Sequence, residues 1–140
     1  METEAILQPL FAMAILTCVM AVWTVCTRVP AMIKLGVHPQ KAQDTDKLRD
    51  HLPHAVNRVA NNYNHLFEQP VLFYAVCISI AILGHADSFL VTCAWIYVAL
   101  RTAHSVVQAC FDIVMIRFYL FIASWCVLAT MIIKESLRLF

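Results

Sequence analysis

Glycine is nearly missing from this chain, with 2 residues in 140. That excludes turn-rich all-β folds and any phosphate-binding loop built on clustered glycines. Charge is also scarce. Asp, Glu, Lys and Arg make up 14% of the chain, against roughly 25% in an ordinary soluble domain. The signs nearly cancel, 10 basic against 9 acidic residues, so no basic surface for nucleic acid is implied. No CxxC, HExxH or GxSxG occurs, and the six histidines are dispersed without metal-ligand spacing. The six cysteines stand no closer than eight residues apart, in or beside apolar stretches. They read as inert buried packing rather than a disulfide frame. Hydrophobic residues fill the space instead, at 61% with a mean hydropathy of +0.73. Disorder is thereby excluded, and the length allows one domain.

The apolar residues fall into four segments. From Ala5 to Thr27 no side chain except Cys ionises. A bilayer core takes about 20 such residues as helix. The run follows Glu2 and Glu4 and has no basic lead-in, so a retained transmembrane helix is expected rather than a secretory signal. Pro9 is expected in its first turns, and Lys34, Gly36 and Pro39 supply a basic last turn, a cap and a stop. Residues 36–57 carry Lys41, Asp44, Asp46, Lys47, Arg49 and Asp50 and read as a solvated connection with room for a short surface helix. A second uncharged run covers Gln69 to Ala86 and ends in the turn signal Gly84-His85-Ala86-Asp87-Ser88. The third segment, Phe89 to about Phe111, is interrupted by Arg101 and His104, and the fourth runs from Phe118 to Ile133. Barrel strands would be near ten residues with alternating polarity. The expected fold is therefore all-α: a single up-down four-helix membrane domain over 1–140, with helices near 6–34, 58–85, 88–111 and 114–136.

Lys34, Lys41, Lys47, Arg49 and Arg58 flank or fill the first connection, and Arg117 lies at the third. Basic residues collect on the cytoplasmic side, so loop 36–56 is expected there and both termini opposite. Lys134 and Arg138 near the C-terminus run against that count.

Polar groups interrupt the apolar pattern at one level. In NRVANNYNHLFEQPVLFY, read as one helix, Asn61, Asn64 or His65, and Glu68 share a stripe. In WIYVALRTAHSVVQACFD, Tyr97, Arg101, His104 and Gln108 share another. Arg117 opens the fourth helix, and the up-down topology brings all of them to the same end of the bundle. Ionisable groups inside a membrane usually mark a bundle interior or a wet cavity, and so a function. Structural pairing is the other reading: Glu68 with Arg101, cross-helix bonds from Asn61 or Asn64, and Asp112 and Arg117 as snorkelling anchors. Trp23, Trp95, Trp125, Phe118 and Tyr119 read as interface or lipid-facing packing.

These residues resemble the MAPEG family, the membrane-associated proteins in eicosanoid and glutathione metabolism, and its small bacterial members in particular. The resemblance covers about Ala5 to Ile133. It is carried by Asn64-His65-Leu66-Phe67-Glu68-Gln69-Pro70-Val71-Leu72-Phe73 and by Arg101-Thr102-Ala103-His104 with Arg117 sixteen residues after Arg101. It implies a homotrimer in a bacterial inner membrane, with glutathione as co-substrate between subunits near the cytoplasmic surface and a lipophilic electrophile or hydroperoxide arriving through the lipid. It further implies that Arg117 stabilises the glutathione thiolate, while Glu68 and Arg101, with Asn61, Asn64, His65, His104 and Gln108, bind the peptide. A guanidinium beside a thiol favours the thiolate and grips carboxylates in bidentate fashion. His65, Asn61 and Gln108 stand where glutathione-binding members carry Asn, Arg and Tyr. Two alternatives remain open here: a non-catalytic lipid- or partner-binding protein using the same cleft, and a purely structural membrane subunit.

Overall fold

A computed structural model describes residues 2–38, 40, 43 and 45–140. Lys41, Asp44 and Pro39, which entered the charge count and the stop signal above, lie outside them. The elements are α1 (Glu2–Lys34), α2 (Thr45–His51), α3 (His54–His65), α4 (Gln69–Leu83), α5 (Ser88–Val106), a π-helical turn (Val107–Phe111) and α6 (Val114–Leu139). No strand occurs among the described residues. Four spans are long and apolar enough to cross a membrane: Glu4–Lys34, His54–Leu83, Ser88–Phe111 and Val114–Leu139.

α1 has 33 residues, so at 1.5 Å per residue it is about 50 Å long, well beyond a hydrocarbon core of about 30 Å. Its last turns therefore rise past the lipid and bring Arg28 to the polar end. Ile6, Met13 and Met20 are buried at seven-residue spacing and pack the helix against α3, α4 and α5. Pro9 is interior rather than in the first turn, because the helix already begins at Glu2. Its missing N–H leaves the Ala5 carbonyl without the usual donor. Hydroxyls within the spans bond back to carbonyls four residues earlier, as Thr17 does to Met13 and Thr24 to Met20. Such bonds hide a donor that lipid would leave unsatisfied.

The segment expected as one helix through Glu68 breaks in two. Pro70 in the first turn of α4 lacks an N–H, and a continuing helix would press its ring on the Leu66 carbonyl. The chain pivots at Glu68, at φ −95° and ψ −101°. Leu66 and Gln69 turn inward while Phe67 and Glu68 turn out. At the opposite end Gly84 closes α4 at φ +68°, and the Asp87 side chain caps α5 by accepting the Leu90 N–H at 2.9 Å. Gly36 performs the same C-terminal role for α1 at φ +64°. Both positions need a residue that tolerates the left-handed region.

The core is apolar at the centre, with Phe73 stacked on Tyr97 at 4.2 Å between ring centroids. Much of the outer surface is also apolar, including Phe11, Ile15, Val114, Met115, Phe118 and Ile133. That surface suits a bilayer. Four cysteines, Cys18, Cys26, Cys110 and Cys126, are exposed, whereas Cys77 and Cys93 are buried as expected of all six. The four lie on helix faces turned away from the core. Trp95, Trp125, Phe118 and Tyr119 are exposed as expected of membrane-facing aromatics, but Trp23 packs partly against the core.

Candidate functional site

The polar end of the bundle holds a cleft of about 570 Å³. Each helix delivers residues to it for a local reason. The overshooting end of α1 supplies Arg28. α2 supplies Asp46 and Arg49, and is tied to α3 by the Asn57 amide, which donates to the Arg49 and Leu52 carbonyls at 2.8 and 3.2 Å. α3 presents Arg58, Asn61, Asn64 and His65, and the break after it presents Glu68. The π turn carries Gln108 and then Asp112, which sits at φ +54° and ψ +37°. Few residues other than glycine adopt that conformation. It reverses the chain so that α6 starts with Arg117 over the cleft. π turns are common at functional sites, where an extra residue re-aims its neighbours.

Six of the eight expected site residues line this cleft: Asn61, Asn64, His65, Glu68, Gln108 and Arg117. His104 does not. It is buried and lines a second, apolar hollow of about 200 Å³ with Val114, Phe118 and Phe121. Arg101 lines neither hollow. It is fully buried and donates to Gln69 Oε1 and to the His65 carbonyl, both at 3.4 Å. Ser124 donates to the same Gln69 oxygen at 3.1 Å. The expected pairing of Arg101 with Glu68 is not formed, because the helix break swings Glu68 outward to His65, with Oε2 at 3.1 Å from Nδ1. Asp112 and Arg117, read from sequence as separate snorkelling anchors, pair with each other. The α5 stripe does form one inward face, with Tyr97, Arg101, His104 and Gln108 all buried.

Sequence reasoning missed Arg28 and counted Arg49 and Arg58 only for orientation. A signal was there: Arg28 ends the uncharged run, and Arg58 opens the next span at the same level. Four arginines line the cleft against the carboxylates of Asp46, Glu68 and Asp112. Arg49 donates to Asn61 Oδ1 at 2.6 Å. His54 Nε2 lies 3.6 Å from Asp112 Oδ2. Arg28 and Arg58 have no ion-pair partner among the described residues. Arg58 Nε, Arg117 Nε and Gln108 Oε1 are buried without a hydrogen bond, as are both amide atoms of Asn62, Arg101 Nε, Ser105 Oγ and His104 Nδ1 behind them. Buried polar atoms are usually satisfied, and the three that line the cleft, Arg58 Nε, Arg117 Nε and Gln108 Oε1, suit a polar ligand. No group of three or more His, Cys, Asp or Glu side chains suited to a metal occurs among the described residues.

The two hollows share two lining residues. His65 and Arg117 line both of them, so a guanidinium and an imidazole stand where a polar compartment meets one lined by Phe118 and Phe121.

Searches of curated proteins and of solved structures return no significant match. The family model of the MAPEG family matches residues 6–135. With that match over nearly the whole length, on an all-helical bundle with four membrane-capable spans, the chain belongs to the MAPEG family.

Proposed function

We propose that this protein is a glutathione-dependent transferase or peroxidase acting on a lipophilic electrophile or hydroperoxide. One observation carries the reading: Arg117 and His65 are shared by the cationic cleft and the apolar hollow. A soluble thiol entering one side and an apolar substrate entering the other would meet at those two residues. Arg28 and Arg58 offer two unpaired guanidinium groups for the two carboxylates, and Glu68 one carboxylate for the ammonium. Asn61, Asn64 and Gln108 add amide contacts. Arg117 stabilises the thiolate at the junction. Arg101 and His104 support this layer from behind, Arg101 by holding the His65 carbonyl.

The assembly proposed is a homotrimer in a bacterial inner membrane, forming one domain over 1–140. The broad exposed apolar faces of α5 and α6 support it by leaving room for neighbours and lipid alike. Native mass spectrometry in mild detergent is expected to show a trimer. Lys34, Lys47, Arg49, Arg58 and Arg117 at the cleft end support a cytoplasmic cleft. Reporter fusions at Asp46 and Phe140 are expected to read opposite compartments, with Asp46 inside.

The test of the function is calorimetric titration of glutathione into detergent-purified protein, followed by ultraviolet absorbance of the bound thiolate. Binding with a thiolate band supports the reading, and no binding at millimolar glutathione ends it. The Arg117–Asp112 ion pair favours a second reading. It occupies the guanidinium that a thiolate would use, as in a non-catalytic protein that holds lipid in the same cleft. In that case glutathione leaves no thermal signal and a lipid amphiphile does.

A further inference from the structure

We propose that His65 is the general base of this site: its Nε2 accepts the proton of the bound thiol while Glu68 holds the ring. This rests on the glutathione-dependent reading above. It adds a proton acceptor to a site in which Arg117 alone is a pure charge, unable to take a proton near neutral pH.

The geometry fixes the roles. An ionised carboxylate only accepts hydrogen bonds. With Glu68 Oε2 at 3.1 Å, Nδ1 of His65 is therefore the donor, and in the neutral ring Nε2 is the nitrogen with the lone pair. Nε2 has no protein partner among the described residues. The ring is one-third exposed and lines both hollows, beside Arg117. Its backbone is fixed as well, because Arg101 donates to the His65 carbonyl at the last turn of α3. A base oriented by a carboxylate, with its free nitrogen at the meeting point of two substrates, is the arrangement that activates a nucleophile.

The neighbouring candidates lack one part each. His104 stands edge-on to His65 at 5.9 Å, but it is buried, has no carboxylate on its ring and does not line the polar cleft. Asp112 is engaged by Arg117 and His54. Glu68 itself is mostly exposed and does not reach the apolar hollow. The charged groups around the imidazole are Glu68 on its ring, His104 edge-on from α5, Arg101 on its carbonyl and Arg117 from α6, with Arg28, Arg58 and Asp112 elsewhere in the lining of the cleft. Glu68 is thus the one anion among them that touches the ring, and it is a positioning residue.

The step balances without an oxidant. The S–H bond breaks, the proton moves to Nε2, and the electron pair stays on sulfur beside Arg117. That pair forms the bond from sulfur to an electrophilic carbon. A C–O bond of a strained ring breaks, or the π pair of an unsaturated carbonyl shifts to oxygen. Nε2 then returns the proton to that oxygen.

The test separates this proposal from the reading beneath it. Glutathione is titrated calorimetrically in buffers of different ionisation enthalpy, which counts protons released on binding, while the thiolate band is recorded. Wild type is expected to show the band with almost no proton released, because the proton stays on His65. H65A and H65Q are expected to bind glutathione and either lose the band or release up to one proton per site. Their turnover falls about 10²–10⁴-fold, the usual share of a general base, and added imidazole restores part of it in H65A. E68Q is expected to release more protons than wild type, and E68D to recover part of the loss. Wild type that binds no glutathione removes the proposed function itself. Wild type that binds but shows no thiolate, or releases its full proton to buffer, overturns the base alone. So does a slow H65A that imidazole fails to rescue, or variants that turn over at the wild-type rate.

Discussion

The two ends of the bundle are built from the same residue types and treat them in opposite ways. At the turn between α4 and α5 every charge has a partner. Asp87 accepts from Lys134 at 2.6 Å and from Arg138 at 2.7 Å, besides capping α5. Glu135 meets His85 at 2.9 Å and Arg138 at 3.1 Å. Arg138 also donates to the His85 carbonyl at 2.8 Å, and Lys134 lies 4.5 Å above the Phe89 ring. Burial pushes the Asp87 carboxyl up, but hydrogen bonds from Lys134, the Leu90 N–H and Arg138 outweigh it and hold the group at about 2, below its ordinary 3.8. At the cleft end, Arg28 and Arg58 have no ion-pair partner among the described residues, and the seven residues named above carry orphaned buried polar atoms within or just behind the cleft. A closed network welds one turn to the last helix. An open one costs about 1–3 kcal/mol for each buried orphan, and a polar ligand would offset the part carried by atoms that line the cleft. The difference supports reading one end as scaffold and the other as the proposed site.

The comparison breaks most visibly at Arg117. R117A is expected to lower turnover about 10²–10³-fold, the usual effect of deleting one group that stabilises developing negative charge. Helicity should be retained, since among the described residues the side chain is bonded to Asp112 alone. Steady-state kinetics and circular dichroism check both halves. If turnover is unchanged, the cleft end is scaffold too.

Arg101 sharpens the boundary between site and support. The resemblance assigns it a grip on the thiol peptide, but its full burial predicts a loss of stability first. R101A is expected to cost about 3 kcal/mol, from the vacated volume and the lost bonds to Gln69 and the His65 carbonyl. A lower thermal midpoint in detergent checks this, and a weakened affinity without any loss of stability would return Arg101 to the ligand.

Arg28 and Arg58 give a smaller and purely functional effect. R28A or R58A is expected to raise KM for glutathione about tenfold with kcat unchanged, the mark of binding shared by ground and transition states. Stability stays within about 0.5 kcal/mol, since neither guanidinium has a partner to lose. Added salt should shrink the difference, because the cleft is open to water.

The smallest effect lies at the scaffold end. D87N is expected to cost about 1 kcal/mol at neutral pH, from a weakened cap and lost ion pairs, with no change in glutathione affinity. The folded state holds Asp87 near 2 and the unfolded chain near 3.8. The folded protein therefore binds fewer protons between those values, and the stabilisation rises with pH through that window. It is complete above about pH 4 and lost as the pH falls through about 2. Thermal midpoints of wild type and D87N should converge at the acid end.

The sequence alone determined the bundle. Three uncharged runs, a further apolar segment interrupted by Arg101 and His104, two glycines at the helix ends and a polar stripe along α5 and the π turn are local and periodic signals. They dictate helices, the number of membrane-capable spans, and that Arg101, His104 and Gln108 turn inward together. Tertiary structure decided the site. Pro70 made a break at Glu68 legible in principle, but only the packed bundle shows the carboxylate swinging away from Arg101 to His65. Arg28 carried a signal as the end of the uncharged run, but its place in the cleft depends on how far a 33-residue helix rises past its neighbours. The pairing of Asp112 with Arg117 depends on a π turn and one left-handed residue. Helices follow from hydrophobic period and length, which each segment carries by itself. Which polar groups meet across them depends on breaks, overshoot and reversals that act between segments, and no single segment encodes that geometry.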